Sequence, residues 1–418
     1  MMPRREFLRG AALAIAGGAV RRTSAAPARA RVLIAGGGFA GACCALQLRQ
    51  LNPAVRVTLI DPADGYFTCP MSNEVIVGMR TLSSIGVARA GLTAAGVRCV
   101  RDGVAGIDAE KRTVRLSGGA VLTYDRLVVA PGIRLLYGQP EGYDSAAALH
   151  MPHAWEAGAQ TRLLAQALDR VADGATVAIS VPAGLMRCPP GPYERASLIA
   201  HYLKTHRARC KILIFDSNNH FPRQDLFTQA WADLYPGMIE WIAPGDGGAL
   251  TRVDAAAGML YSAAGAHRVS LASIIPPQAP GQLAVEAGLS SGHGWCPIEA
   301  ATFASRLLRY VHVIGDACIA GAMPKSASAA ASQARQCAAA ICASLADREA
   351  PRPQLDSVCY SMVSPGSALA IHGRFALQDG EIVAVAPAED GAAQTPTPGR
   401  AQEAARWYEQ IRLACFAA

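Results

Sequence analysis

The chain has 418 residues, 51% of them apolar and 17% charged, enough to bury a large core, which excludes a disordered protein and argues for two or three domains. Its formal net charge is +7, but residues 1–30 hold six arginines against one glutamate, so five of those charges sit in the leader and the rest of the chain carries +2. That distribution leaves no basic surface for a nucleic acid, and no apolar run after the leader reaches the roughly 18 residues that span a bilayer.

The leader itself reads Arg4-Arg5-Glu6-Phe7-Leu8, then an apolar stretch from Ala11 to Val20, then small residues around Ser24-Ala25-Ala26. Paired arginines before a short, mildly apolar segment are the twin-arginine export pattern, so residues 1–30 are expected to be a signal and the mature protein periplasmic. That route carries proteins already folded around a cofactor.

Residues 31–61 predict a βαβ unit. Apolar Val32-Leu33-Ile34-Ala35 runs into the glycine turn Gly36-Gly37-Gly38-Phe39-Ala40-Gly41, a helix follows to about Gln50, and a second strand ends at Asp61. In this pattern Gly36, Gly38 and Gly41 let the backbone turn and approach a pyrophosphate, and Asp61 accepts a hydrogen bond from the adenosine ribose. Short alternating strands from Val97 to Leu127, broken by Asp102-Gly103 and Ser117-Gly118-Gly119, predict an antiparallel insertion. The strand Tyr124 to Val129 then ends in Ala130-Pro131-Gly132, a turn tight enough to pass beneath a cofactor.

Near residue 150 the pattern changes. Thr176 to Val181 opens a second βαβ unit, with a helix from about Tyr193 to Lys204 and a strand from Lys211 to Phe215. Where this unit would carry its glycine loop, the chain has Arg187-Cys188-Pro189-Pro190-Gly191-Pro192-Tyr193. Prolines have no N–H to give a diphosphate, so one dinucleotide is expected, with no hydride taken from NADH. Tyr310 to Asp316 predicts a strand entering a Gly315-Asp316 turn, followed by an alanine-rich helix from Ser326 to Leu345 whose positive end faces the cofactor. Residues 346–418 begin with Pro351-Arg352-Pro353 and read as a small third domain. The fold class is therefore α/β: two Rossmann-like βαβ domains, residues 31–150 with 281–345 and residues 151–280, plus a C-terminal α+β domain.

Twelve cysteines in an exported chain invite a disulfide framework. Most sit otherwise: Cys43, Cys44, Cys337 and Cys342 lie in alanine-rich helical stretches, Cys99 in a strand and Cys318 after the Gly-Asp turn, contexts in which cysteine is a small core residue. Cys210, Cys296 and Cys415 have no distinguishing neighbours. Cys69, Cys188 and Cys359 stand apart. No Cys-x-x-Cys-His occurs and no spacing suggests a metal site, so any haem belongs to another chain.

Several stretches together resemble the flavoprotein subunit of flavocytochrome c sulfide dehydrogenase, one of the glutathione-reductase-like flavoproteins. They include Tyr66-Phe67-Thr68-Cys69 with Ser72-Asn73-Glu74-Val75, Pro152-His153-Ala154-Trp155, Arg187 to Ser197, Ile274-Ile275-Pro276-Pro277-Gln278, Gly294-Trp295-Cys296-Pro297, Val313 to Cys318, Met323-Pro324-Lys325-Ser326 and Cys359-Tyr360-Ser361. The resemblance implies FAD as cofactor, joined covalently through the Cys69 sulfur, with Gly315, Asp316 and Lys325 also in its site. It implies a redox-active disulfide between Cys188 and Cys359, sulfide as substrate, and a c-type cytochrome subunit as partner. A purely structural crosslink between the two cysteines is the other reading. Glu194 either moves protons at the bridge or complements the dipole of its helix. Trp407 reads as core, with a cover over the flavin as its alternative, and His153 reads as structural. Two functional rivals share the architecture: a sulfide:quinone oxidoreductase, and a non-catalytic flavin redox sensor.

Overall fold

The structure, a computed structural model, describes residues 29–290, 294–385 and 396–417. Of the expected leader, residues 1–30, residues 1–28 lie outside the described residues.

Two parallel sheets carry the molecule. In the first, the strands run in the order Val311–Val313, Arg126–Val129, Arg31–Ala35, Arg56–Asp61 and Arg98–Arg101, every neighbour pairing parallel. Continuous apolar runs suit strands covered on both faces, and Val32 to Ala35 are accordingly all buried. The second sheet runs Ile239–Ile242, Lys211–Asp216, Thr176–Val181, Leu271–Ile274, again all parallel. Its helix spans Gly191–His206, two residues beyond the expected segment at each end, because Pro192 is well placed in a first turn that needs no N–H.

The expected antiparallel insertion needs one correction. Arg98–Arg101 is the edge strand of the first parallel sheet, and the insertion is the meander Val104–Asp108, Thr113–Leu116, Val121–Thr123. Short alternating strands look alike in sequence whichever sheet they join. An antiparallel pair, Ile133–Leu135 with Gln278–Pro280, ties together the two places where the chain crosses between the sheets. The C-terminal part is an antiparallel sheet of Leu355–Ser364, Ser367–Gln378 and Glu381–Val385, followed by the helix Pro398–Phe416.

Small residues set how closely these parts approach. The helix Phe39–Leu51 packs on Ala327–Leu345, both rich in alanine and cysteine, and Cys43, Cys44 and Cys337 are buried between them. At the first turn a Cβ added at Gly41 would lie 1.9 Å from the Gly36 carbonyl oxygen. Gly41→Ala is expected to cost about 2–3 kcal/mol through this clash, read as a lower denaturant midpoint; an unchanged midpoint would mean that the turn relaxes.

Candidate active site

The dinucleotide cradle forms where the first strand meets its helix. Gly36 sits at φ +103, and a Cβ there would meet the Ala130 carbonyl oxygen at 2.2 Å, so the loop passes directly against the Ala130–Gly132 turn. The helix starts at Phe39 with no side-chain cap and no acidic residue in its first turn, which leaves its N–H groups for an anion. Asp61 accepts the Gly37 N–H at 2.6 Å. Gly36 to Ala40, Asp61, Ala130 and Gly132 all face a cavity of about 570 Å³. An open glycine cradle on an uncapped helix, at the mouth of so large a cavity, fits the pyrophosphate and adenosine of FAD. Gly41 is outside the cavity, and its part is the close packing just described.

The same cavity receives the three cysteines that stood apart. Cys69 lies in it beside Tyr66 and Pro70, after Thr68, whose buried hydroxyl pairs with Tyr408 Oη at 2.7 Å. Arg187 is its cationic neighbour. Burial alone would depress that guanidinium, but the charges of Cys69, Asp316 and Tyr66 outweigh burial and hold it protonated. Cys188 follows with φ +53, a left-handed backbone unusual for a residue with a Cβ. Its N–H donates to the Lys325 carbonyl at 2.8 Å, and its carbonyl accepts from Gly191 N–H at 2.9 Å, which fixes the turn. Cys359, on the strand Leu355–Ser364, comes to the same cavity from the C-terminal sheet.

All twelve cysteines are free thiols in this structure, Cys188 and Cys359 included. Each of the two is nevertheless a basic thiol in a shared electrostatic setting. Burial raises Cys188 well above the ordinary value, and the nearby charge of Cys359 adds to it. Burial pushes Cys359 up to about 11, against a hydrogen bond from Ser326. The charge of Glu194 raises both of them. Burial lifts its carboxyl to about 7, opposed by the Met362 N–H at 2.9 Å and the Asn73 amide at 2.7 Å. A carboxyl that titrates near neutrality in this cavity has the chemistry to move protons, and at the start of its helix it also complements the helix dipole.

Asp316 and the helix Ala327–Leu345 close the far wall. Asp316, Ser326, Ala327 and Ser328 line the cavity, and the Ser326 hydroxyl caps the helix by accepting the Ala329 N–H. Gly315, at φ +77, brings this turn against Ala40. Lys325 differs from expectation. Its ammonium donates to the carbonyls of Asp316 at 2.7 Å and Cys318 at 3.0 Å and rests on the Trp295 ring, facing away from the main cavity. A cation flanked by carbonyls of its own loop is a brace for that loop. Trp407 answers to both of its readings: half-buried, it packs against the core, and it lines the cavity with Ala404, 5.8 Å from Tyr360. His153 is buried, its Nδ1 accepts the Trp155 N–H at 3.0 Å, and burial lowers it to about 4, so it stays neutral.

Three residues went unread. Arg195 is fully inside the protein and lines the cavity, Asn73 bonds to both Arg195 and Glu194, and Arg89 lies over the glycine loop with its guanidinium 3.3 Å from Asp61. Only Arg195 carried a signal, being an arginine in a helical run otherwise made of Ala196, Ser197, Leu198, Ile199 and Ala200.

The second βαβ unit shows why one nucleotide suffices. Asp216 ends its second strand, where a ribose would be read, yet it is wholly buried and accepts from Tyr193 Oη at 2.5 Å and Trp241 Nε1 at 2.9 Å. Its carboxylate is spent on the protein's own groups.

Three family descriptions match the chain in succession. Residues 30–153 match the pyridine nucleotide-disulphide oxidoreductases, residues 161–276 the central part of the sulfide dehydrogenase (flavocytochrome c) flavoprotein chain, and residues 351–416 the flavin-binding part of flavocytochrome c sulphide dehydrogenase. Over 45 residues, 11% of this chain, it is 51% identical to the sulfide dehydrogenase (flavocytochrome c) flavoprotein chain of Chlorobaculum thiosulfatiphilum, covering 94% of that sequence. It is 29% identical over 116 residues to the mitochondrial sulfide:quinone oxidoreductase of Mus musculus, a match to 27% of this chain that spans only about a quarter (26%) of the mouse protein. The fold is similar to that of the sulfide:quinone oxidoreductase of Aquifex aeolicus, with a TM-score of 0.71 at 17% identity over 93% of each chain.

Proposed function

We propose that this chain, which belongs to the family of sulfide dehydrogenase (flavocytochrome c) flavoprotein chains, oxidises hydrosulfide to polysulfide or sulfur with FAD and passes the electrons to a c-type cytochrome subunit. One observation carries the reading: Cys188 and Cys359, 171 residues apart, open with Glu194 into the cavity that begins at the glycine cradle.

In the oxidised protein the two thiols form a bridge. Hydrosulfide bonds to one of its sulfurs, the S–S bond breaks, and the other cysteine departs with the electron pair as a thiolate. A second hydrosulfide attacks the outer sulfur of the persulfide, which releases hydrogen disulfide and leaves both cysteines reduced. Both thiols are basic, so the departing thiolate needs a proton, and Glu194 is placed to supply it. FAD, when bound, would supply two-electron oxidation of the dithiol and single-electron transfer to a cytochrome. Asp61, the glycine loop, Asp316 and the capped helix at Ser326 would hold it, and Cys69 would be its covalent attachment point.

That linkage has its own test. Acid precipitation leaves the yellow colour in the pellet, and Cys69→Ala sends it to the supernatant; colour already lost from the unaltered protein would remove the linkage. The arginine pair Arg4-Arg5 supports a periplasmic protein exported by the twin-arginine route. The quinone alternative gains nothing from the C-terminal helix, whose apolar face of Tyr408, Ile411 and Cys415 is buried against the body. Among the described residues no helix is long and apolar enough to cross a membrane.

Anaerobic mixing with hydrosulfide tests the whole reading. Rapid flavin bleaching followed by reduction of a c-type cytochrome is the expected result. Absence of bleaching would leave a redox sensor, and reduction of a membrane quinone in place of cytochrome would change the partner.

A further inference from the structure

Arg195 is a charge that the reaction above does not use. It is 2% exposed, in a helix buried on all sides from residue 195 to 200. Four of its N–H groups are taken, and every acceptor is neutral. Nε donates to Asn73 Oδ1 at 3.1 Å, Nη1 donates to the His153 carbonyl and to Ser273 Oγ at 2.7 Å each, and Nη2 donates to the Ala154 carbonyl at 2.7 Å. Among the described residues no carboxylate stands at ion-pair distance from it. Its plane lies over Trp155, 5.2 Å from the ring centroid, and it lines the cavity.

A buried cation surrounded by dipoles alone is costly unless an anion comes to it. The ionisable groups near it are Cys188, Glu194, Cys69 and Tyr143. Glu194 and Arg195 feel each other's charge, but the carboxylate stands beyond ion-pair distance, held by the Asn73 amide and the Met362 N–H. Arg187, the other cavity guanidinium, donates to the Trp155 carbonyl and feels the charges of Cys69, Asp316 and Tyr66. Burial lowers Arg195 only to about 10, so it remains charged at neutral pH.

We propose that Arg195 is the specificity-determining residue of the cavity, drawing a small anionic nucleophile to the Cys188–Cys359 bridge in preference to neutral ones. The inference rests on the bridge reading above. When hydrosulfide displaces a cysteine sulfur, its negative charge moves to the departing thiolate, and both stand within the field of the same guanidinium. A neutral phosphine brings no charge to the cavity, and as it opens the bond positive charge grows on phosphorus while negative charge grows on the departing sulfur, so the two effects of that field oppose each other.

The test compares two reagents that open disulfides. Hydrosulfide is an anion; an uncharged trialkylphosphine breaks the same bond, taking an oxygen from water to become the phosphine oxide and leaving two thiols. The flavin-loaded protein is mixed anaerobically with each, and the freed Cys188 and Cys359 are trapped by alkylation and counted by peptide mass spectrometry. With Arg195→Met, bridge opening by hydrosulfide is expected to slow about 100-fold while the phosphine rate stays within about threefold, and Arg195→Lys recovers part of the loss. Equal losses with both reagents would assign the residue to the fold alone and overturn the proposal, as would no loss with either. A measurement on the unaltered protein guards against a variant that fails to fold: azide, a small inert anion, should slow hydrosulfide and leave the phosphine untouched. Equal slowing of both, or of neither, overturns the proposal. If neither reagent frees thiols in the unaltered protein, the bridge itself is absent and the proposal falls with it.

Discussion

Cys188→Ser loses hydrosulfide-driven flavin reduction by about four orders of magnitude or more, and Cys359→Ser loses about as much. Serine keeps the size of the side chain and suits the backbone at φ +53 no worse than cysteine does, so the loop that Cys188 anchors through the Lys325 carbonyl should persist. What disappears is the bond that hydrosulfide breaks. Neither remaining thiol is a substitute, because burial makes both basic and therefore protonated at neutral pH. The two cysteines act as one unit, so the double variant should be no slower than either single one. Stopped-flow bleaching under anaerobic conditions reads all three. A single variant that bleached at the unaltered rate would show that sulfide reaches the flavin without the bridge, and the redox pair would become a structural crosslink.

How much of this could be read from residues alone depended on whether the signal was local. The cradle was legible because a strand, three glycines, a helix and Asp61 fall at fixed spacing, and each has a local steric reason. The lack of a second glycine cradle was legible for the same reason, since prolines forfeit N–H groups wherever the loop lies. Edge strand Arg98–Arg101 was misassigned because its partner, Arg56–Asp61, is chosen by tertiary packing that four residues do not encode. Lys325 left the cavity and Trp407 joined it for a related reason. A side chain's direction is set by the loop or helix face that carries it, and the crossing of Pro398–Phe416 over the cavity is a long-range event. Asn73 was missed because nothing in its short helix says which polar residue turns inward, and Arg195 because its apolar helical run marks it as buried without saying what it faces.

Glu194→Gln should change both a rate and a stability profile. Burial raises the carboxyl from 4.5 to about 7. The unfolded chain releases this proton near 4.5 and the folded protein near 7, so across that window the native state binds more protons. Stability from Glu194 is therefore fully present below pH 4.5 and is lost as pH rises to 7, by about 3 kcal/mol. Glutamine has no proton to lose, so this slope should vanish from denaturant titrations of the variant. Around the carboxyl stand Asn73, Glu74, Arg195, the Met362 N–H and the two basic thiols. A departing thiolate in that setting takes its proton from the acid form of Glu194, which predominates below pH 7. The unaltered protein should thus show an alkaline limb near 7 in kcat/KM for sulfide. In Glu194→Gln the limb should be absent and the plateau about 10²–10³-fold lower. A variant that kept the limb while losing rate would place the titrating group elsewhere, and one that kept the rate would return Glu194 to a charge at the start of its helix.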